Sequence, residues 1–161
     1  MDTSEIALRL GTATAAGLFL GFDRELRGSP AGLRTHALVA LSSAAITVSA
    51  LKLQEQFGAG NSELDPLRVI QGLAQAIGFI AAGIIFASGG KVRNVTTAAN
   101  VWLASAVGIA AGAAQFDIVG ISLLLGFVLL VGVGLVERRW LPAQAEEEGM
   151  PKSGKPPPGS D

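Results

Sequence analysis

The sequence predicts an all-α polytopic membrane protein, a compact bundle of five transmembrane helices. Two observations predict this fold class. Half of the 161 residues are apolar and only 16% are charged, whereas a soluble domain usually carries about 25% charged residues. The apolar residues also fall into five stretches, and each is close to the roughly 20 residues that a helix needs to cross the hydrocarbon core.

The predicted spans follow one another with mostly short connections. They cover residues 6–22, 35–51, 69–87, 95–116 and 118–136. The longer connection, residues 52–68, contains Gly58, Gly60, Asn61 and Pro66, which are residue types typical of polar loops. The sequence therefore predicts five helices that run alternately up and down through the bilayer.

The loops differ in their content of lysine and arginine, which sets the orientation of membrane proteins. One side carries nine basic residues: Arg24, Arg27, Arg34, Lys91, Arg93, Arg138, Arg139, Lys152 and Lys155. The other side carries only Arg9, Lys52 and Arg68. Because basic loops stay in the cytoplasm, this distribution predicts an N-out/C-in topology.

The composition changes sharply after Arg139. Residues 140–161 are rich in acidic residues, glycine and proline and offer almost no apolar surface to bury. We therefore interpret residues 1–139 as the transmembrane domain and residues 140–161 as a disordered cytoplasmic tail.

Small residues recur at every fourth position in three of the spans. Lipid tails are as apolar as leucine, so helices in a bilayer associate through close backbone contact and interhelical hydrogen bonds. The glycines expected at such contacts are Gly17, Gly21, Gly78, Gly108 and Gly112. Three amides lie within the same helices, Gln71, Gln75 and Asn100. They are expected to pair helices, with a polar permeation pathway as the alternative.

The uncharged part of the first span is too short to cross the hydrocarbon core. Residues 10–22 cover only about 20 Å at 1.5 Å per residue, against a hydrocarbon core of about 30 Å. Charged groups at its inner end therefore enter the membrane, where ionisable side chains usually pair or line a polar cavity. The acidic members of this group are Asp23 and Glu25, and Arg24 lies between them.

Two further polar segments are predicted on the same side of the membrane. The loop before the second span supplies Arg34, and the start of the fourth supplies Lys91, Arg93, Asn94, Thr96 and Thr97. One interpretation is that these segments anchor the protein to anionic lipid. Another, compatible with the first, is that they form one polar pocket in which arginines pair with Asp23 and Glu25.

The sequence lacks the chemical groups that several classes of function require. The net charge of −1 gives no basic excess for binding nucleic acid. With no cysteine and His36 as the single histidine, the chain lacks a nucleophile beside a base, so we expect neither an enzyme nor a cofactor. Whether a metal binds is left open, with Mg²⁺ as the possible ion.

Three segments together are specific enough to indicate a family. GFDRELRGSPAGLRTHALVALSSA, DPLRVIQGLAQAIGFIAAGIIF and GGKVRNVTTAANVWLASAVGIAAGA resemble, in order and spacing, the membrane domain of the MgtC/SapB family, and they cover most of residues 5–136. GLRTHALV and TTAANVW are the most specific blocks. Asp23 stands where the family usually has glutamate. Many members also carry a soluble ACT-like C-terminal domain, for which the segment after Arg139 is too short.

The resemblance implies a multi-pass protein of the bacterial inner (plasma) membrane, linked to magnesium limitation or acid stress. It favours a regulatory module that acts through other membrane proteins, and the alternative is a transporter or channel for Mg²⁺ or protons with a polar site near Asp23 and Glu25. Expected partners are the lipid bilayer and another membrane protein or a second copy of the chain.

Overall fold

A computed structural model describes residues 1–58, 65–86 and 93–133, and the described residues form helices and short connections without a strand. The helices are α1 (Thr3–Leu26), α2 (Leu33–Phe57), α3 (Pro66–Phe86), α4 (Val95–Gly112) and α5 (Phe116–Phe127), and α5 continues as a π-helical segment, Val128–Val133. This confirms the predicted all-α bundle. Lys91 and the predicted tail, residues 140–161, lie outside the described residues.

Four of these helices are long and apolar enough to cross a membrane. They contain 24, 25, 21 and 18 residues in chain order, so even α4 is about 27 Å long at 1.5 Å per residue. The apolar helix that begins at Phe116 is shorter within the described residues, and the end predicted for the fifth span, residue 136, lies beyond them.

Two helix ends differ from the predicted bounds. α1 continues to Leu26 and therefore includes Asp23, Arg24 and Glu25 in its last turn. α4 ends at Gly112, four residues before the predicted end, because Ala114 adopts a left-handed conformation with φ 59°. A left-handed residue after the last turn commonly terminates a helix. The connection to α5 is thus a tight turn.

The centre of the bundle is formed by α1, α2 and α4. Its core consists mostly of small side chains that are almost completely buried, among them Ala13, Ala16, Ala44, Ala104 and Ala111. Such side chains let two helix backbones come close enough for van der Waals contact, which is the main attraction between helices in a bilayer.

Glycines mark the closest of these contacts. A Cβ atom on Gly17 of α1 would lie 2.6 Å from the His36 carbonyl oxygen of α2, and one on Gly108 of α4 would lie 2.8 Å from the Ala40 Cα. Gly21 and Gly112 are similarly close to the α2 backbone. Any side chain at these four positions would push the helices apart.

The third helix packs at the edge of the bundle. In its most apolar stretch 17% of the residues are buried, against 61% in α4. Gly78, expected in a close backbone contact, meets only the Trp102 ring among the described residues, 3.4 Å from an added Cβ. This is an ordinary van der Waals distance, so side chains and not backbones meet here.

Contrary to the sequence-based expectation, the two glutamines of α3 do not connect helices among the described residues. Gln71 and Gln75 are exposed, whereas the buried side chains of this helix are Leu73 and Ile77. Leu73 and Ile77 each follow a glutamine by two positions, and a step of two positions turns about 200° around a helix of 3.6 residues per turn. The larger apolar side chains therefore face the bundle, and both amides point away from it.

Candidate functional site

A buried hydrogen-bond network joins α1, α2 and α4. The Asn100 Nδ2 donates to the Leu20 carbonyl oxygen at 2.9 Å and to His36 Nε2 at 3.0 Å. His36 Nδ1 in turn donates to the Gly32 carbonyl oxygen at 2.8 Å. We assign the Nδ1–H tautomer of a neutral imidazole because it satisfies both ring nitrogens at once. In the following, the His36–Asn100 network denotes these two side chains and the two carbonyl groups.

The network is sealed from solvent. His36 has no exposed surface, and 3% of Asn100 is exposed. Its position follows from the glycines, because Gly17 brings the α1 backbone against His36 and so places the Leu20 carbonyl within reach of α4. Asn100 was among the amides expected to connect helices, and its donor group does so here.

His36 was missed as a site residue because a single histidine suggested the absence of catalytic chemistry. A sequence signal was available in the positions of α2 that follow it. Ala40, Ser43, Ala44 and Thr47 recur three or four residues apart and are all buried. A small and polar face that begins with histidine indicates a helix interface.

The polar contacts continue along the α2–α4 interface. The Ser43 and Ser105 hydroxyl groups form a hydrogen bond at 2.9 Å, and the Thr47 hydroxyl donates to the Ser43 carbonyl oxygen at 2.8 Å. All of these groups are neutral, so the interface holds the helices in register without a buried charge.

One atom of the network has no partner among the described residues. The Asn100 Oδ1 is buried and accepts no hydrogen bond there. Asn100 also lines a cavity of about 270 Å³ between α4 and α5, together with Thr96, Leu103 and Gly126. Asn100 therefore contributes to the network through the two N–H donors of its amide nitrogen.

The predicted charged cluster lies at the end of α1 and is paired within that helix. The Asp23 carboxylate accepts from Arg24 Nε at 3.1 Å and from Arg27 Nε at 2.8 Å. Arg24 is buried, with 7% of its surface exposed, whereas Arg27 is exposed. Asp23 therefore neutralises a guanidinium group that packs into the bundle.

Glu25 has a different role from the one expected. Its Oε2 accepts the backbone N–H of Leu33 at 3.0 Å, at the first residue of α2, and the carboxylate lies so close to Gly32 that a Cβ there would overlap it. A carboxylate at a helix N-terminus satisfies a free N–H group and complements the helix dipole. Glu25 therefore caps α2.

Among the described residues, Arg34 and Arg93 form no ion pair with Asp23 or Glu25, and Lys91 lies outside them. Arg34, Arg93 and Thr96 are exposed, while Thr97 is buried. Asn94 precedes α4 with φ 63° and makes no side-chain hydrogen bond to cap it. Of the described members, Asp23 belongs to an ion-pair cluster with Arg24 and Arg27, and Glu25 forms a helix cap.

A second charged contact closes the opposite end of the bundle. Arg9 of α1 donates from Nη1 to the Gly112 carbonyl oxygen at 2.7 Å and pairs with Glu5 one turn earlier. Arg9 is buried, with 8% of its surface exposed. Instead of extending to the membrane surface, it binds the C-terminal end of α4, where a positive charge is favourable.

The described residues contain no group of three or more histidine, cysteine, aspartate or glutamate side chains placed to hold a metal ion. Mg²⁺ is bound through carboxylate oxygens and retained waters, and the two acids at the C-terminal end of α1, Asp23 and Glu25, already bind arginine or a backbone N–H. The arrangement is suited to locking α1, α2 and α4 together.

The chain is similar to a known family of membrane proteins. The model of the MgtC family matches residues 10–139. Protein SapB of Bacillus subtilis is 32% identical over 91% of the chain and 64% of SapB. "Putative magnesium transporter YhiD" of Escherichia coli K12 is 33% identical over 72% of the chain and 54% of YhiD. Protein MgtC of Brucella abortus is 40% identical over 65% of the chain and 41% of that protein.

The matched part of the chain thus spans between about two fifths and two thirds of each of these three relatives. No solved structure matches the chain.

Proposed function

Because this chain belongs to the MgtC family and is a multi-pass membrane protein, we propose that it is a regulatory module of the bacterial inner membrane. In this proposal it serves adaptation to magnesium limitation or acid stress and acts through other membrane proteins. The name of one relative, "Putative magnesium transporter YhiD", supports the connection to magnesium.

The closed interior of the bundle supports a regulatory function over transport. Ala13, Ala40, Ala104 and Ala111 have no exposed surface, and the polar side chains that join the helices, His36, Asn100, Ser43 and Ser105, are neutral and mostly bonded to one another. The buried charges, Arg9 and Arg24, lie towards the two ends of the bundle. An ion that crosses a bilayer needs a row of oxygen ligands or a water-filled passage. A bundle packed in this way exerts its effect through its outer surface.

Complementation and transport together test the proposal. The full chain is expected to restore growth of a deletion strain in low magnesium, with its membrane level measured by immunoblot. The purified chain in liposomes that contain a magnesium-sensitive dye is expected to give no Mg²⁺ influx above protein-free liposomes. Influx that rises with the amount of protein would refute the regulatory role.

A transporter of Mg²⁺ or protons is the second candidate. The observation that favours it is the Asp23 carboxylate, which lines a cavity of about 400 Å³ between α1 and the end of α5 whose other lining residues, among them Phe19, Phe22 and Leu130, are apolar. In this case Asp23→Asn should abolish the influx in liposomes while leaving the folded yield measurable. A pH-sensitive dye in the same liposomes distinguishes proton flux from Mg²⁺ flux.

The N-out/C-in orientation belongs to this proposal. It is supported by the nine basic residues on the proposed cytoplasmic side against three on the other. Alkaline phosphatase should be inactive when it is fused after Asp161 and active when it is inserted near Gly60. The reverse pattern would contradict the orientation and, with it, the assignment of Asp23 to the cytoplasmic end.

A further inference from the structure

One face of α3 exposes amides instead of purely apolar side chains. Gln71, Gln75 and Phe79 are exposed at intervals of four residues, and Gly72 is exposed beside them. We call these four residues the α3 amide face. Neither glutamine side chain forms a hydrogen bond to any described residue. The helix itself is long and apolar enough to span the bilayer.

The Gln75 amide lies at a depth where lipid offers it no partner. α3 has 21 residues, so it is about 31 Å long and matches the hydrocarbon core. Gln75 is about 14 Å from its first residue and so lies close to the middle of the membrane. Polar side chains at this depth normally face protein and form hydrogen bonds across helices.

The chemistry of the face fits an identical face. An amide both donates and accepts, so two copies related by a two-fold axis satisfy each other with the same residues. No charged residue occurs between residues 69 and 86, so like charges do not oppose the pairing. No described heavy atom lies within 4 Å of a Cβ built on Gly72, which leaves room for the close approach of a second helix.

We propose that α3 pairs with α3 of a second copy of this chain through the α3 amide face. The glutamines then form hydrogen bonds across the two-fold axis, and Phe79, with 84% of its surface exposed in the single chain, packs against the partner. This pairing is independent of whether the protein regulates or transports.

Cysteine cross-linking in native membranes tests the pairing, because the chain has no cysteine of its own. Four single variants, Gln71→Cys, Gly72→Cys, Gln75→Cys and Phe79→Cys, sample the face. Mild oxidation should convert at least one of them largely into a species of twice the 16.4 kDa chain. The control is Leu124→Cys on α5, where the side chain is 63% exposed and little cross-linking is expected.

Two results would overturn the pairing. One is cross-linking at all four α3 positions that is no stronger than at Leu124→Cys. The other is a cross-linked product that contains a different protein, which would assign the face to another partner. The proposed regulatory function would stand after the second result, because it requires a membrane partner but does not specify this one.

The strength of the pairing supplies a second measurement. Energy transfer between labelled full-length chains in liposomes gives the dimer dissociation constant as the protein-to-lipid ratio varies. Gln75→Leu should raise that constant about threefold to tenfold, the effect of losing one interhelical hydrogen bond in a membrane. Gln75→Asn, which keeps the amide, should raise it less. An unchanged constant in Gln75→Leu, or no energy transfer at any ratio, would refute the proposal.

Discussion

Asn100 of α4 donates to His36 Nε2 of α2 at 3.0 Å, although 64 residues separate them in the chain. The same Asn100 amide nitrogen also binds the Leu20 carbonyl oxygen of α1 at 2.9 Å. One side chain therefore connects the three helices of the core. Its removal tests whether the His36–Asn100 network stabilises the bundle.

Asn100→Leu should lower the free energy of unfolding by about 1–3 kcal/mol, because it leaves the buried His36 Nε2 without a donor. Thermal unfolding of the purified chain in mild detergent measures the loss. Ala106→Leu is the matched control, since Ala106 is exposed on the same helix and leucine there faces lipid. Equal stability of the two variants would mean that the network contributes nothing.

The four central glycines should tolerate substitution far less than glycines elsewhere. Gly17→Leu and Gly108→Leu should strongly reduce the folded yield, because a side chain at either position meets the α2 backbone. Gly78→Leu should be milder, since the Trp102 ring can move. Gly120→Leu should be close to neutral, because no described heavy atom lies within 4 Å of a Cβ there. Fluorescence-detected size-exclusion chromatography measures each yield, and similar losses at Gly17 and Gly120 would contradict the close packing.

Ser43 and Ser105 should be energetically coupled. Ser43→Ala and Ser105→Ala each remove one partner of a buried hydrogen bond, whereas the double variant removes both and leaves no unpaired hydroxyl. A double-mutant cycle on the unfolding free energy should give a coupling of about 0.5–1.5 kcal/mol. Additive effects of the two substitutions would show that the hydroxyl groups act independently, each bonding to its own helix backbone.

Asp23→Asn should weaken function in low magnesium more than Glu25→Gln. Asp23 neutralises the buried Arg24, so the loss of its charge should lower stability by roughly 1–3 kcal/mol, between the values for exposed and buried ion pairs. Glutamine at position 25 keeps an oxygen that can accept the Leu33 N–H. Growth of a complemented deletion strain is compared at equal membrane abundance. Full growth with Asp23→Asn would mean that this acid is an ordinary surface charge, and the site at the end of α1 would have to be abandoned.

The sequence by itself determined the class of fold and the location of the helices. Composition and the spacing of charges are enough for this because a spanning helix must be long, apolar and hydrogen-bonded within itself. The four-residue spacing of Gly17 and Gly21, and of Gly108 and Gly112, also indicated which helix faces pack. These constraints are local, so they can be recognised along a single chain.

Only the tertiary structure decided which polar groups meet. Glu25 binds the Leu33 N–H of the next helix, where the sequence suggested an ion pair in a shared pocket. Arg9 binds the Gly112 carbonyl oxygen 103 residues away. His36 is part of the core network, and the Gln71 and Gln75 side chains turn outward. A polar side chain can form a hydrogen bond with many different backbone groups. Which group it meets depends on how each helix is rotated about its axis. That rotation is set by the sum of the contacts between helices, which no single segment of the sequence contains.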